Sequence, residues 1–367
     1  MSPLNVGFVL EETLGHRTHA QNLRVTMSTH TSICPRWLPI PFDVSPFEAR
    51  VPIYGSNWSV RAGVRARHGI LGMERSGSLD ALFVHTQVPS ILAAGLFKRI
   101  PTVISLDATP LQYDELGDHY GHELGGKRAE ATKLWLNRRA FRHAAALVAW
   151  SAWAKGSLVE AYGVPAEKVT VIPAGVQSDL WAHQRGARSE GAVRILFVGG
   201  DLVRKGGLDL LRAFRALRAE HDPVLRELCL DVVTTEPLLP EPGVRVHTGL
   251  QPNSEELRRL YGAADIFCLP TRGDCLPSVL AEAGASGLPA VSTDVGAIAE
   301  LVRDGETGLL VPVGDVAALA DALRALARDP GLRGRLGRAA SSLVLEEHDA
   351  ATNASRVVAL LHEVVDR

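Results

Sequence analysis

The sequence predicts an α/β protein of two domains, each a parallel sheet covered by helices on both faces. Three observations predict it. The chain has 367 residues, more than a single α/β core usually holds. Short apolar runs of strand length recur along it, separated by longer helical patterns, which is how parallel strands joined by crossover helices read. Hydrophobic residues make up 46% and charged residues 22%, the mixture of a globular chain with a core to bury.

The runs Val6–Leu10, Ala81–Val84, Thr102–Leu106, Ala146–Ala149 and Val169–Ile172 form a first series. Arg194–Val198, Cys229–Val233, Val244–Val246, Ile266–Leu269, Ala290–Ser292 and Gly308–Val311 form a second. Ile172-Pro-Ala-Gly-Val176 closes the first series, and the loose stretch from Gln177 to Gly191 precedes the second. A linker there divides the chain into domains over 1–176 and 177–350. No short-period repeat or low-complexity tract interrupts either one.

With 39 basic against 41 acidic residues the formal charge is −2, so no global field recruits nucleic acid or an anionic surface. The four cysteines, Cys34, Cys229, Cys268 and Cys275, have no metal-ligand or redox spacing, and such sparse use fits a reducing compartment. The first ten residues lack the basic region of a signal peptide. No apolar run approaches the roughly 20 residues of a membrane span. A cytoplasmic protein is expected, with membrane contact, if any, peripheral.

The first chemical signal is Ile195-Leu-Phe-Val-Gly-Gly-Asp-Leu-Val-Arg-Lys-Gly-Gly-Leu208, a buried strand followed by glycines, two cations and a helix. Gly200 and Gly206 permit close backbone approach, while Arg204, Lys205 and the helix start supply positive charge where a diphosphate would sit. The alternative is an ordinary turn with two solvated cations. The glycines match neither the dinucleotide spacing nor a Walker motif, which disfavours NAD and ATP.

The second signal runs from Leu269 to Asp294, with Pro277 suited to the first turn of a helix. Asp274 then precedes that helix and Glu282 lies about one and a half turns inside it. Asp274 suits sugar hydroxyls, Glu282 a ribose diol held through both oxygens, and the free amides near Leu276 and Ser278 a phosphate between them. An N-terminal acid favoured by the helix dipole is the plainer account of Asp274. Glu282, flanked by Ala281 and Ala283, fits that account less well.

The run from Arg194 to Gly314 resembles the glycosyltransferase family 4 (glycosyl transferases group 1) domain of the GT-B fold. The residues that carry the resemblance are Asp274 and Glu282 with seven residues between them, Gly-Gly-Asp-x-x-Arg-Lys-Gly-Gly, Leu260-Tyr-Gly-Ala-Ala-Asp-Ile-Phe-Cys-Leu-Pro270 and Asp304-Gly-Glu-Thr-Gly-Leu-Leu-Val311. A weaker likeness extends through Ala149-Trp-Ser-Ala-Trp153 and Val169-Thr-Val-Ile-Pro-Ala-Gly-Val176. The resemblance implies two Rossmann-like parallel-sheet domains facing a cleft, with a closing helix over 351–367 packed back on the first. It further implies retaining transfer from a nucleotide-sugar donor, a substrate and not a cofactor, to an acceptor hydroxyl; with Arg204 and Lys205 to meet the leaving-group charge, no metal is expected.

Two positions depart from the family pattern. The family usually has Glu where Asp274 stands, one methylene longer. It also tends to place its phosphate-binding arginine at the position of Gly200, which leaves Arg204 beside Lys205 as the candidate. The backbone near Gly249 and Leu250 is the candidate contact for the base.

In the first half, the polar stretch Glu11-Glu-Thr-Leu-Gly-His-Arg-Thr-His19 makes Gly15 and His16 candidates for donor or acceptor contact, a solvated turn being the alternative. His85 ends a strand and reads as a structural histidine. Asp107 occupies the position where many relatives present a histidine to the donor sugar; it keeps a hydrogen-bonding group and removes a positive charge. The basic helix Lys127–His143 interleaves Leu134, Trp135 and Phe141, which offers a face for an anionic membrane or, more simply, a core-facing stripe with solvated charges. Two other functions fit the same sequence: an epimerase or hydrolase of this fold, and a nucleotide-sugar-binding protein without catalysis.

Overall fold

The computed structural model describes residues 3–13, 16–117, 125–182 and 191–367. They form two compact units. The first contains the chain up to Glu115, the described residues from Gly125 to Gly175, and Ala350–Arg367; the second contains Val176–Asp349, with Leu116 and Gly117 grouped to it.

The first unit is built on a parallel sheet of β1 (Leu4–Glu12), β2 (Ile33–Pro41), β3 (Ala81–His85), β4 (Thr102–Leu106), β5 (Ala146–Ala149) and β6 (Val169–Val171), in the order β2-β1-β3-β4-β5-β6. β3, β4 and β5 are buried along their whole length, because helices cover both faces and every side chain meets apolar neighbours.

β2 is absent from the apolar runs of the sequence. Pro35, Pro39 and Pro41 interrupt it, and most of its residues are only partly buried. It pairs with β1 alone, from Leu4 opposite Ile33 to Glu12 opposite Pro41. An edge strand tolerates proline, since one of its two sides has no ladder to complete. β1 also runs two residues past the apolar stretch and takes in Glu11 and Glu12.

The second unit carries β7 (Arg194–Val198), β8 (Cys229–Val233), β9 (Val244–His247), β10 (Ile266–Leu269), β11 (Ala290–Thr293) and β12 (Gly308–Val311), all parallel, in the order β12-β11-β10-β7-β8-β9. Its core gathers Phe197, Phe214, Tyr261, Phe267 and Leu323 around the two central strands. A fully buried side chain of this size contributes about 1.5–3 kcal/mol over an exposed one.

Both orders reverse direction once. In the first unit the reversal lies at β1 and β3, in the second at β7 and β10. Ligands of open parallel sheets bind beyond the carboxyl ends of the strands at that reversal, where successive crossovers leave to opposite sides and open a crevice. The loops after β1, β3, β7 and β10 are therefore where topology directs attention.

The helix Ala350–Asp366 belongs to the first unit. It lies against the helix His16–Met27 and strands β3 and β4, burying Val357, Val358 and Leu361. Asn353 donates to the Pro173 carbonyl at 3.1 Å and Arg356 to that of Val171 at 2.6 Å. In the helix Lys127–His143, Phe141 packs inward while Trp135 stays exposed under the Arg139 guanidinium, 5.7 Å from its ring centre. Among the described residues, no helix is long and apolar enough to cross a membrane.

Candidate active site

After β7 the chain passes through Gly199 and Gly200 to Arg204, Lys205 and the helix Gly207–Arg218. Gly206 caps that helix with φ 74°, and a Cβ there would lie 1.9 Å from the Pro270 carbonyl oxygen. Only glycine permits both the left-handed backbone and this approach. The loops after β7 and β10 are thereby drawn together. The Arg204 carbonyl accepts from the Arg272 amide at 2.7 Å and from Thr271 Oγ1 at 3.1 Å.

This seam brings Arg204, Lys205 and Asp274 into one cluster. Lys205 Nζ donates to both Asp274 oxygens, at 2.8 and 2.6 Å. The Arg204 guanidinium donates to the Gly273 carbonyl at 2.9 Å and lies 3.4 Å from Asp274 Oδ1. Thr271 Oγ1 lies 3.0 Å from Asp274 Oδ2, so its one proton is shared between that oxygen and the Arg204 carbonyl. The sequence sends the cations to a phosphate and Asp274 to a sugar; here they pair. Asp274 is only 7% exposed, and a charge so far from water needs a partner.

Pro277 stands one residue outside the helix Ser278–Ala285, at its N-cap, and not in its first turn. Proline brings no side-chain acceptor, so the first amides, from Ser278 onward, have no side-chain cap. Leu276 and Ser278 are both half-buried at this helix start. Gly200 is exposed, and its carbonyl accepts from Thr235 at 3.0 Å. Gly249, at φ 75°, and Leu250 follow the edge strand β9, two strands from β7.

Glu282 lies within the helix and is almost completely buried. Tyr261 donates to its Oε2 at 2.9 Å. Burial pushes the carboxyl up to about 7, against the pull of that hydrogen bond. Oε2 thus already accepts one hydrogen bond, which leaves Oε1 the more available acceptor for a ligand hydroxyl.

In the first unit, the reversal gathers polar groups on Glu11, a residue the sequence reading passes over. Its Oε1 accepts from Thr13 at 2.7 Å and Trp58 at 3.2 Å, and its Oε2 from Thr86 at 2.5 Å. The available signal was a carboxylate continuing an apolar strand toward the carboxyl edge. Gly15 lies outside the described residues. His16 opens the helix His16–Met27, and its Nδ1 sits 3.0 Å from His85 Nε2.

His85 is fully buried and stacks on Trp150 at 5.0 Å. Burial, reinforced by His19 and His16, holds its imidazole well below the usual range, and His19 is pushed down to about 3 by burial and His16. Asp107 follows β4 and accepts from the Ala108 amide at 2.9 Å and Tyr113 at 2.8 Å. Burial raises its pKa, while His16, the Tyr113 hydrogen bond and its own backbone amide oppose the rise.

Two units, each built on a six-stranded parallel sheet whose strand order reverses once, have the architecture of the GT-B fold class. The chain matches the Glycosyltransferase Family 4 model over residues 13–180 and the Glycosyl transferases group 1 model over residues 192–329, and it belongs to that family.

It is 28% identical to a glycogen synthase of Mycobacterium tuberculosis over 307 residues, 81% of this chain and 71% of the relative. Sucrose-phosphate synthase from Thermosynechococcus elongatus superimposes with a TM-score of 0.74 at 16% identity, covering 98% of this chain and 99% of the other. Anabaena HepE in complex with UDP-glucose gives 0.69 at 16% identity, covering 98% and 100%. At such identity these two likenesses speak for the fold alone.

Proposed function

We propose that this protein is a retaining glycosyltransferase that moves a sugar from a nucleoside diphosphate sugar to an acceptor hydroxyl, without a metal. The second unit binds the donor and the first supplies acceptor contacts. The observation that carries this reading is the cluster of Arg204, Lys205 and Asp274 at the reversal between β7 and β10. Arg204, Lys205 and the amides of Ser278 and Val279 meet the diphosphate, Asp274 orients the sugar, and Glu282 contacts the ribose.

In the reaction, the bond from the anomeric carbon to the diphosphate oxygen breaks and the bond from that carbon to the acceptor oxygen forms on the same face. The acceptor proton passes to the departing phosphate oxygen. Negative charge grows on the diphosphate as the bond breaks, and fixed cations stabilise that state more than the ground state. Asp107 and His16 are polar groups of the first unit suited to acceptor hydroxyls.

The test is a donor screen that follows released UDP, GDP or ADP with and without acceptors, starting from UDP-glucose, the compound bound by HepE. Turnover that needs an acceptor and yields a product of unchanged anomeric configuration supports the reading. Donor breakdown at the same rate without acceptor overturns it in favour of hydrolysis.

A further inference from the structure

Glu282 and Tyr261 face each other inside the second unit, from the helices Ser278–Ala285 and Glu255–Ala263. The tyrosine has no freedom to swing. Its ring stacks on Phe267 at 5.5 Å and meets the edge of Trp181 at 4.9 Å, and it is 0% exposed. Its hydroxyl has one proton to give. Glu282 Oε2 takes it at 2.9 Å, while the next acceptor, the Val279 carbonyl, lies at 3.5 Å.

We propose that Tyr261 is a positioning residue of the donor site: by donating to Oε2 of Glu282 it fixes the carboxylate's orientation and leaves Oε1 the stronger acceptor for a ribose hydroxyl. The inference rests on the donor reading above. A carboxylate accepts from a hydroxyl best when ionised, and burial works against ionisation here while the Tyr261 hydrogen bond favours it. Tyr261 therefore both aims the group and keeps it an acceptor near neutral pH. Two consequences separate this role from simple packing. An Oε2 already engaged by Tyr261 is the weaker acceptor, which makes the two ribose hydroxyls unequal, and loss of the tyrosine hydroxyl weakens donor binding most where Glu282 is hardest to ionise.

The experiment titrates UDP, GDP and ADP into the full chain by calorimetry and carries the tightest binder forward. First, its 2′-deoxy and 3′-deoxy analogues are compared on the unmodified protein. The expected result is an affinity loss of about tenfold for one analogue and less than about twofold for the other, the size of a single hydrogen bond to a charged acceptor. Equal losses overturn the inference. Next, Tyr261→Phe, which keeps the ring and its packing, is titrated between pH 6 and pH 9. Affinity should fall several-fold at the acid end and return toward that of the unmodified protein at the alkaline end.

A pH-independent loss, or none, overturns the positioning role. Glu282→Gln distinguishes the two levels of the argument. If it binds the diphosphate with unchanged affinity and both deoxy analogues bind like the parent, the ribose role itself is wrong. If Glu282→Gln weakens binding while Tyr261→Phe does nothing, only the role of Tyr261 fails.

Discussion

Lys205 and Asp274 form one ion pair, with the ammonium donating to both carboxylate oxygens at 2.8 and 2.6 Å. A diphosphate bound as proposed would share the ammonium with Asp274. Asp274→Asn should tighten binding of the free nucleoside diphosphate by about three- to tenfold, since it removes a competing negative charge. It should at the same time lower the transfer rate, because the sugar loses its orienting carboxylate. Calorimetry on the variant checks the first effect and steady-state kinetics the second. Weaker diphosphate binding by Asp274→Asn would show that the pair serves as scaffold.

Lys205→Ala should reduce turnover at saturating substrates more than it weakens donor affinity, because the leaving group carries more negative charge in the transition state than in the bound donor. It also leaves Asp274 with Arg204 at 3.4 Å as the remaining cation, so a stability loss of about 1–3 kcal/mol is expected. The double variant Lys205→Ala, Asp274→Asn should recover most of that loss, which denaturant titrations of the three variants measure as a coupling energy. Full additivity, with wild-type turnover in the single variant, would make Lys205 an ordinary surface charge.

Most of the architecture was legible because parallel strands buried on both faces leave unbroken apolar runs, and eleven of them appear in the sequence at or near their final bounds. β2 was not, because its prolines and half-exposed side chains erase that pattern. The cluster of Arg204, Lys205 and Asp274 was legible as residues but not as an ion pair. Nothing local tells that Gly206 would let the loop after β7 close against Pro270. Tyr261 lay within a recognised motif, yet its link to Glu282 spans 21 positions and two helices. Glu11 looked like the start of a solvated loop because strand β1 outlasts its apolar residues.

Gly206→Ala should be among the most damaging single changes in the second unit. The residue is left-handed, at φ 74°, and its new Cβ would meet the backbone oxygen of Pro270 at 1.9 Å. Backbone strain of this kind costs about 1–3 kcal/mol before the clash is counted. The two loops must separate, which moves Lys205 away from Asp274. Loss of turnover together with a fall in melting temperature is the expected result, and a variant with wild-type values in both would refute the seam between the loops.

Transfer should continue in excess EDTA, since the proposed leaving-group charge is met by Arg204, Lys205 and backbone amides. The measurement is turnover with chelator, then with added magnesium or manganese. Loss on chelation with recovery by either ion would move the charge-stabilising role from the side chains to a metal.

Glu282→Gln should stabilise the fold in a pH-dependent manner. Burial pushes the Glu282 carboxyl from an ordinary 4.5 up to about 7. Between those two values the folded protein keeps a proton that the unfolded chain has released. Stability of the unmodified protein therefore declines as pH rises through that window, by about 1.4 kcal/mol per unit at most, and the penalty is complete above the folded pKa. Glutamine resembles the neutral carboxyl in shape and still offers an oxygen to Tyr261, so it avoids the penalty. The advantage of the variant in urea unfolding should be near zero at pH 4.5, grow through pH 6 and pH 7, and level off above about pH 8 at roughly 3 kcal/mol. A difference that stays flat across this range, or shrinks as pH rises, would mean that Glu282 ionises freely where it stands.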